Sequence, residues 1–256
     1  GGRAMTGIMI LDHISIVVAA LLCAIVVGVP LGILSYFYPS ARKIILRVVD
    51  LLQTTPALAL LGIIMVTPLG AGKPTVILGL ALYSLLPIVR NVTLGLSQVS
   101  PAVKEAAKGM GMTRVYSLFH VELPLAMPML FTGLRIAVVN AIGTAVFAAF
   151  VGGGGLGGVF YTAIRQKDLP LMLKGTAVLM VMALILDLAL SAAERRLNDR
   201  RWRKPAPSWL RWTGGLVCAA LAAWAATAME VGLLRKFFGA FLIVVGLMEL
   251  FGRTKE

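Results

Sequence analysis

Apolar runs long enough to cross a lipid bilayer recur along most of this chain, and they leave it little choice of fold. The first, Ile14 to Leu34, would measure about 31 Å as a helix at 1.5 Å per residue, close to the thickness of a hydrocarbon core. Others run from Thr75 to Leu96, Met127 to Val151 and Leu171 to Ala193, with two further candidates at Leu210 to Ala228 and Leu233 to Phe251. Only 14% of the 256 residues are charged and 59% are hydrophobic, against about 25% charged in soluble domains. An all-α membrane protein is expected. The formal net charge is +13, but Lys and Arg gather at the ends of apolar segments. Anionic lipid and membrane topology account for them there, and no nucleic-acid partner is implied.

The segment Ile44 to Val66 is less ordinary. Asp50, Gln53, Thr54, Thr55 and Pro56 lie in its first half. Proline lacks an N–H and disturbs a helix, and such a break at membrane depth is tolerated only against protein or a water-filled cavity. This helix is therefore expected to face the interior of the subunit, with Gln53, Thr54, Thr55 and Pro56 as candidate lining of a path. Asn140 and Thr144, inside the fourth run, are candidates of the same kind. Two cations also lie within apolar runs. Arg90, near the end of its run, can reach the surface along its own stem. Arg135 lies deeper and is expected to pair structurally, with Asp50 as the candidate partner. Asp187 is the single acid of the run Leu171 to Ala193.

Between the third and fourth runs, Ser97 to Leu125 is too polar to span. It contains EAAKGMGMTRVYSLFHVELP, Glu105 to Pro124, which fits E-A-A-x3-G-x9-V-x-L-P. Pro101 can open a short amphipathic helix after Ser100. Glu105 near that helix's start is favoured by the macrodipole, and Ala106 and Ala107 are strong helix formers with small side chains. Gly109 and Gly111 permit a close turn that a Cβ would hinder. Leu123-Pro124 closes the loop, with Pro124 placed to start the next helix.

This pattern resembles the loop by which permease subunits of ATP-binding-cassette importers grip their ATPase. The resemblance narrows with VVDLLQTTPALALLGIIMV (Val48 to Val66), LALYSLLPIVRN (Leu80 to Asn91), VELPLAMPMLFTGLRIAVVNAIGTA (Val121 to Ala145) and FVGGGGLGG (Phe150 to Gly158). Together these are similar to permeases of the osmoprotectant importers, which take up glycine betaine, choline, carnitine and related quaternary amines. The likeness covers residues 14–197. It implies a five- or six-helix type I permease core in a bacterial cytoplasmic (inner) membrane. It also implies a second permease subunit, two ATPase subunits that bind the ATP, and an extracytoplasmic substrate-binding protein. Glu105, Ala106, Ala107, Gly111, Leu123 and Pro124 would form the ATPase-coupling loop, with the two alanines letting the helix sit deep in the partner's groove. Residues 205–256 go beyond the family pattern and are expected to add a helical hairpin.

Orientation follows from basic residues, which favour the cytoplasmic side. With the motif loop cytoplasmic, fifteen Lys and Arg fall inside and seven outside, the sense the loop requires. Gly152 to Gly158 contains G-x-G-x-x-G but sits between membrane segments rather than in a βαβ unit, so nucleotide binding is not expected. A flexible outer turn near the dock of a binding protein is expected instead. Gly70 to Pro74 has the look of a P-loop, yet Thr67 stands where the first glycine belongs and Pro74 where Ser or Thr should hold Mg²⁺. Cys23 and Cys218 sit in apolar runs, and His13 and His120 have no companions at metal-ligand spacing. No cofactor, metal or catalytic residue is expected. The alternatives are an importer of another small solute, such as an amino acid, or an ion-coupled secondary transporter. The latter usually shows an internal repeat and several intramembrane acids, and neither is evident here.

Overall fold

The proline at Pro39, the Thr55-Pro56 step and the glycines around residues 70 and 152 cut the chain into its elements. A computed structural model describes residues 7–198, all within one compact unit, Gly1–Arg201. The expected hairpin at 205–256 lies outside the described residues. Within them every regular element is helical. The helices are α1 (Gly7–Phe37), α2 (Pro39–Thr54), α3 (Ala57–Met65), α4 (Lys73–Ser97), α5 (Pro101–Gly109), α6 (Arg114–Ser117), α7 (Leu123–Thr144), α8 (Gly157–Gln166) and α9 (Leu169–Asn198). A π-helical turn, Leu118–Glu122, joins α6 to α7, and a 3₁₀ stretch, Ala145–Val151, extends α7. Among the described residues four helical segments are long and apolar enough to span a bilayer, or five if α2 and α3 count as one broken span.

Helix α4 is the centre. Its buried residues run from Thr75 to Leu96 on nearly every face, and α1, α2, α3 and α7 all pack on it. Small residues allow the close approaches, because lipid supplies little hydrophobic drive between helices and packing must hold them. A Cβ on Gly32 of α1 would stand 2.6 Å from Val92, and one on Gly133 of α7 would stand 2.6 Å from the Pro87 carbonyl oxygen. The Thr93 hydroxyl donates to the Gly32 carbonyl oxygen at 3.2 Å, so α1 and α4 are joined by a hydrogen bond as well as by contact. Pro87 does not end α4. Asn91 Nδ2 donates to the Pro87 carbonyl oxygen at 2.7 Å.

The break between α2 and α3 falls where Pro56 places it, and the two axes turn by 96°. Thr55 is extended, with φ −67° and ψ 131°, as a residue before proline prefers. The Thr54 and Thr55 hydroxyls donate to the Leu51 carbonyl oxygen at 2.9 and 3.0 Å. Tyr83 of α4 donates its hydroxyl to the Thr55 carbonyl oxygen. Tyr83 thus serves a carbonyl that an unbroken helix would have served itself, while the Leu51 carbonyl oxygen keeps its helical bond from the Thr55 N–H at 3.2 Å. The expected inward orientation of α2 does not hold within this chain. Val49 is its one buried residue, while Ile44, Val48 and Leu51 are exposed. Helix α2 packs on α4 along one edge, through Val49 against Leu85 and Val89, and leaves its other face uncovered at the rim.

The far end of the molecule is fastened by the start of α1. Asp12 pairs with Lys73 at the start of α4 and accepts the Gly155 N–H at 2.8 Å. His13, fully buried, accepts the Leu156 N–H on Nδ1 at 3.2 Å. Its Nε2 then carries the proton and donates to the Ile142 carbonyl oxygen at 3.1 Å. The Gly72 N–H donates to the Val151 carbonyl oxygen at 2.8 Å. The glycine-rich turn, expected to be flexible, is therefore pinned from three sides. Its left-handed residues Gly152, Gly154 and Gly155 give the tight path that lets it reach Asp12.

Candidate functional site

The loop that carries the sequence motif forms two short helices set against the end of α1. Pro101 starts α5 after Ser100, as proline does at a first helical position. The helix is two-faced. Ala107 is buried and Val103 and Lys104 are half-buried, while Ala102, Glu105, Ala106 and Gly109 are exposed. Three- and four-residue spacing puts each set on one side. Of the two alanines expected to face a partner, Ala106 is exposed and Ala107 is not. Ala107, 1% exposed, packs inside this chain because it shares the face of Val103 and Lys104.

Gly111 ends α5. Its φ is +79°, and its N–H donates to the Lys108 carbonyl oxygen at 3.0 Å while the Met112 N–H donates to the Ala107 carbonyl oxygen at 3.1 Å. This pair of bonds around a left-handed residue is the Schellman termination, for which glycine is suited because it lacks a Cβ. A Cβ there would meet nothing within 4 Å, so the requirement is conformational and not one of space within the chain. Thr113 then caps α6, its hydroxyl accepting the Tyr116 N–H at 3.3 Å. Leu123 and Pro124 occupy the first two positions of α7, where a missing N–H costs nothing.

What locks this loop is a residue the sequence reading passed over. Glu122, 5% exposed, fills the unspecified position of V-x-L-P. Its Oε2 accepts the Tyr36 hydroxyl at 2.6 Å and its Oε1 accepts the Ser117 hydroxyl at 3.2 Å. The Lys104 ammonium stands 4.0 Å from Oε2, donates to the Leu96 carbonyl oxygen at 3.1 Å and lies 4.9 Å from the centre of the Tyr36 ring. Nearby, the Arg114 guanidinium lies 4.6 Å from the centre of the Phe37 ring. The signal in the sequence was an acid at the mouth of an apolar run, with Tyr36 at the end of another.

The path candidates are not gathered in one place within this chain. Gln53 and Thr55 are half-buried and Thr54 and Pro56 exposed at the α2–α3 break, Asn140 is exposed on α7, and Thr144 is half-buried at its end. No hydrogen bond joins the two groups among the described residues. The pairing expected for Arg135 is not found. Asp50 pairs with Arg90 at 2.8 Å, since α2 lies on α4. Arg135 of α7 instead meets α9, donating to Glu194 Oε2 at 2.7 Å and lying 3.6 Å from Asp187 Oδ1. Asp187 is thus a structural counter-ion and not a lone acid. Among the described residues no cluster of His, Cys, Asp and Glu could hold a metal ion.

Residues 14–203 match the model of the family described as binding-protein-dependent transport system inner membrane component. The chain belongs to this family. It is a permease subunit of an inner-membrane import system. It is 40% identical over 193 residues to the glycine betaine/carnitine/choline transport system permease protein OpuCD of Bacillus subtilis, covering 75% of this chain and 84% of that one. To the osmoprotectant import permease protein OsmW of Salmonella typhimurium it is 37% identical over 182 residues, covering 69% and 84%. Among solved structures, the permease resembles a chain of the MetNI methionine ABC transporter in an inward-facing conformation. The TM-score is 0.67 at 20% identity, covering 76% of this chain and 100% of that one. At that identity the likeness speaks for the fold, that of a type I importer permease.

Proposed function

We propose that this permease forms half of the translocation path of an ATP-driven importer for a small quaternary-ammonium osmoprotectant, of the glycine betaine, choline and carnitine class. The observation that carries the solute class is the set of relatives whose names specify those solutes, at 33–40% identity over about three quarters of the chain. ATP would be hydrolysed by a separate subunit. Here Lys73, the lysine of the P-loop-like turn, is held by Asp12 and is not free for a phosphate.

In this reading Glu105 to Pro124 is the cytoplasmic coupling loop. Its exposed face, Ala102, Glu105, Ala106 and Gly109, presents small side chains and one acid to a groove of the ATPase, while Ala107 and Gly111 set the shape behind it. The polar break at Gln53 to Pro56 opens toward the rim of the subunit. That suits a path completed by a second permease subunit, the same chain or a related one, with Asn140 and Thr144 as further lining. An extracytoplasmic binding protein would deliver the solute and set most of the selectivity, since an aromatic cage can hold a quaternary ammonium.

The test is uptake. The permease, produced with its ATPase and binding protein in a bacterium lacking its own osmoprotectant uptake, should import labelled glycine betaine, choline or carnitine. It should not import labelled methionine or histidine. Import of an amino acid alone would replace the solute class and leave the permease assignment standing.

A further inference from the structure

We propose that Glu122 is the positioning residue through which movement of the coupling loop reaches the membrane-spanning helices, an inference that rests on the loop engaging an ATPase. The family pattern leaves this position open, and an apolar residue would suit a helix about to enter a bilayer. Here it holds an acid that is 5% exposed, and each carboxylate oxygen is occupied by a different element.

Tyr36 comes from the end of α1, at 2.6 Å. Ser117 comes from α6, at 3.2 Å. Lys104 comes from α5, 4.0 Å away, and its ammonium also reaches the last turn of α4 through the Leu96 carbonyl oxygen. Glu122 itself lies in the π-helical turn that leads into α7, the kind of local distortion often found where a helix does something besides support. One side chain therefore joins α1, α5, α6 and the start of α7. A push delivered to the exposed face of α5 cannot move that helix alone. The charge matters as well as the shape. A carboxylate accepts from two hydroxyls and balances Lys104, whereas an amide would turn an NH₂ toward one of those donors and leave the half-buried ammonium without a counter-ion.

Two measurements test this, and the first needs no partner. Hydrogen exchange of the full chain in lipid nanodiscs should show Glu122→Gln raising exchange in residues 101–117, with α4 and the body of α7 unchanged. Glu122→Asp, which keeps the charge, should restore most of the protection. Tyr36→Phe should reproduce part of the change, and Tyr36→Phe combined with Glu122→Gln should be no worse than Glu122→Gln alone, as expected for partners in one contact. The second measurement is ATP hydrolysed per labelled glycine betaine imported by the reconstituted complex. Glu122→Gln should raise this ratio roughly tenfold, the size of one charge-assisted hydrogen bond, while the ATPase still co-purifies in normal amount.

Unchanged exchange in residues 101–117 overturns the proposal. So does a general rise across α4 and α7, which would mark Glu122 as a folding residue only, and so does an unchanged ratio in a working transporter. If the unsubstituted complex imports no glycine betaine, the solute class fails, and the exchange measurement alone then decides for or against Glu122.

Discussion

Gly111 shows how one residue can matter through its backbone. Its φ of +79° ends α5, and the two bonds around it serve carbonyls that the helix would otherwise leave open. A side chain other than glycine in that conformation costs about 1–2 kcal/mol, while asparagine tolerates it better. Gly111→Leu should therefore weaken retention of the ATPase by roughly 5- to 30-fold with the protein still in the membrane. Gly111→Asn should stay near the unsubstituted level. Co-purified ATPase and uptake in the reconstituted complex measure both. An asparagine variant as impaired as the leucine one would mean that close approach by the partner, and not the turn, is what requires glycine. The spacing of the motif made this glycine legible from sequence. It did not reveal that Ala107 faces inward, because two adjacent alanines look alike until the neighbouring Val103 and Lys104 fix which side of the helix is covered. Nor did it pair Arg135 correctly. Asp50, Asp187 and Glu194 are equally acidic in a sequence, and only the packing of α2 on α4 and of α9 on α7 decides which acid meets which arginine.

At the scale of the element, the broken pair α2 and α3 is the part most at odds with its surroundings. A turn of 96° within a membrane segment frees backbone groups that lipid cannot satisfy. Tyr83 answers for one of them, the Thr55 carbonyl oxygen. Tyr83→Phe keeps the ring and removes the hydroxyl, so it leaves the Thr55 carbonyl oxygen without its donor. The expected cost is about 0.5–1.5 kcal/mol, the net worth of one hydrogen bond at a half-buried site, read as a lower thermal midpoint of the purified permease. A Tyr83→Phe variant of unaltered stability would show that water or a neighbouring subunit serves that carbonyl. Pro56 announced the break in the sequence. Tyr83, 28 positions away, could not be matched to it, since a tyrosine in an apolar run is equally at home at an interface. The short helix α8 was missed for a related reason. Its ten residues follow a glycine-rich turn and are too few to stand out as a span.

At the scale of the whole molecule, the two ends are built differently, and the difference predicts which way the chain sits. One end gathers the loop helices α5 and α6 around Glu122, with Lys104, Lys108 and Arg114 on them and Arg42 and Lys43 on the neighbouring start of α2. The other is closed by Asp12, His13 and Lys73 around the glycine turn, where Lys73 is spent on an ion pair, and carries Arg165, Lys167 and Lys174 beyond it. Basic residues near membrane segments favour the cytoplasm, and the loop end, with Arg47, Arg195 and Arg196 on the same side by the count above, carries the larger share. The loop end is therefore expected inside. The check uses a chain with Cys23 and Cys218 replaced by alanine and a single cysteine introduced at Lys108 or at Gln166, both exposed positions. In intact cells a membrane-impermeant thiol reagent should modify the Gln166 cysteine and spare the Lys108 cysteine, and after permeabilisation it should modify both. The reverse pattern would place α5 outside, where no ATPase could reach it. The fold assignment would survive that result, because it rests on packing and on the family match. The coupling role of Glu105 to Pro124, and with it that of Glu122, would not.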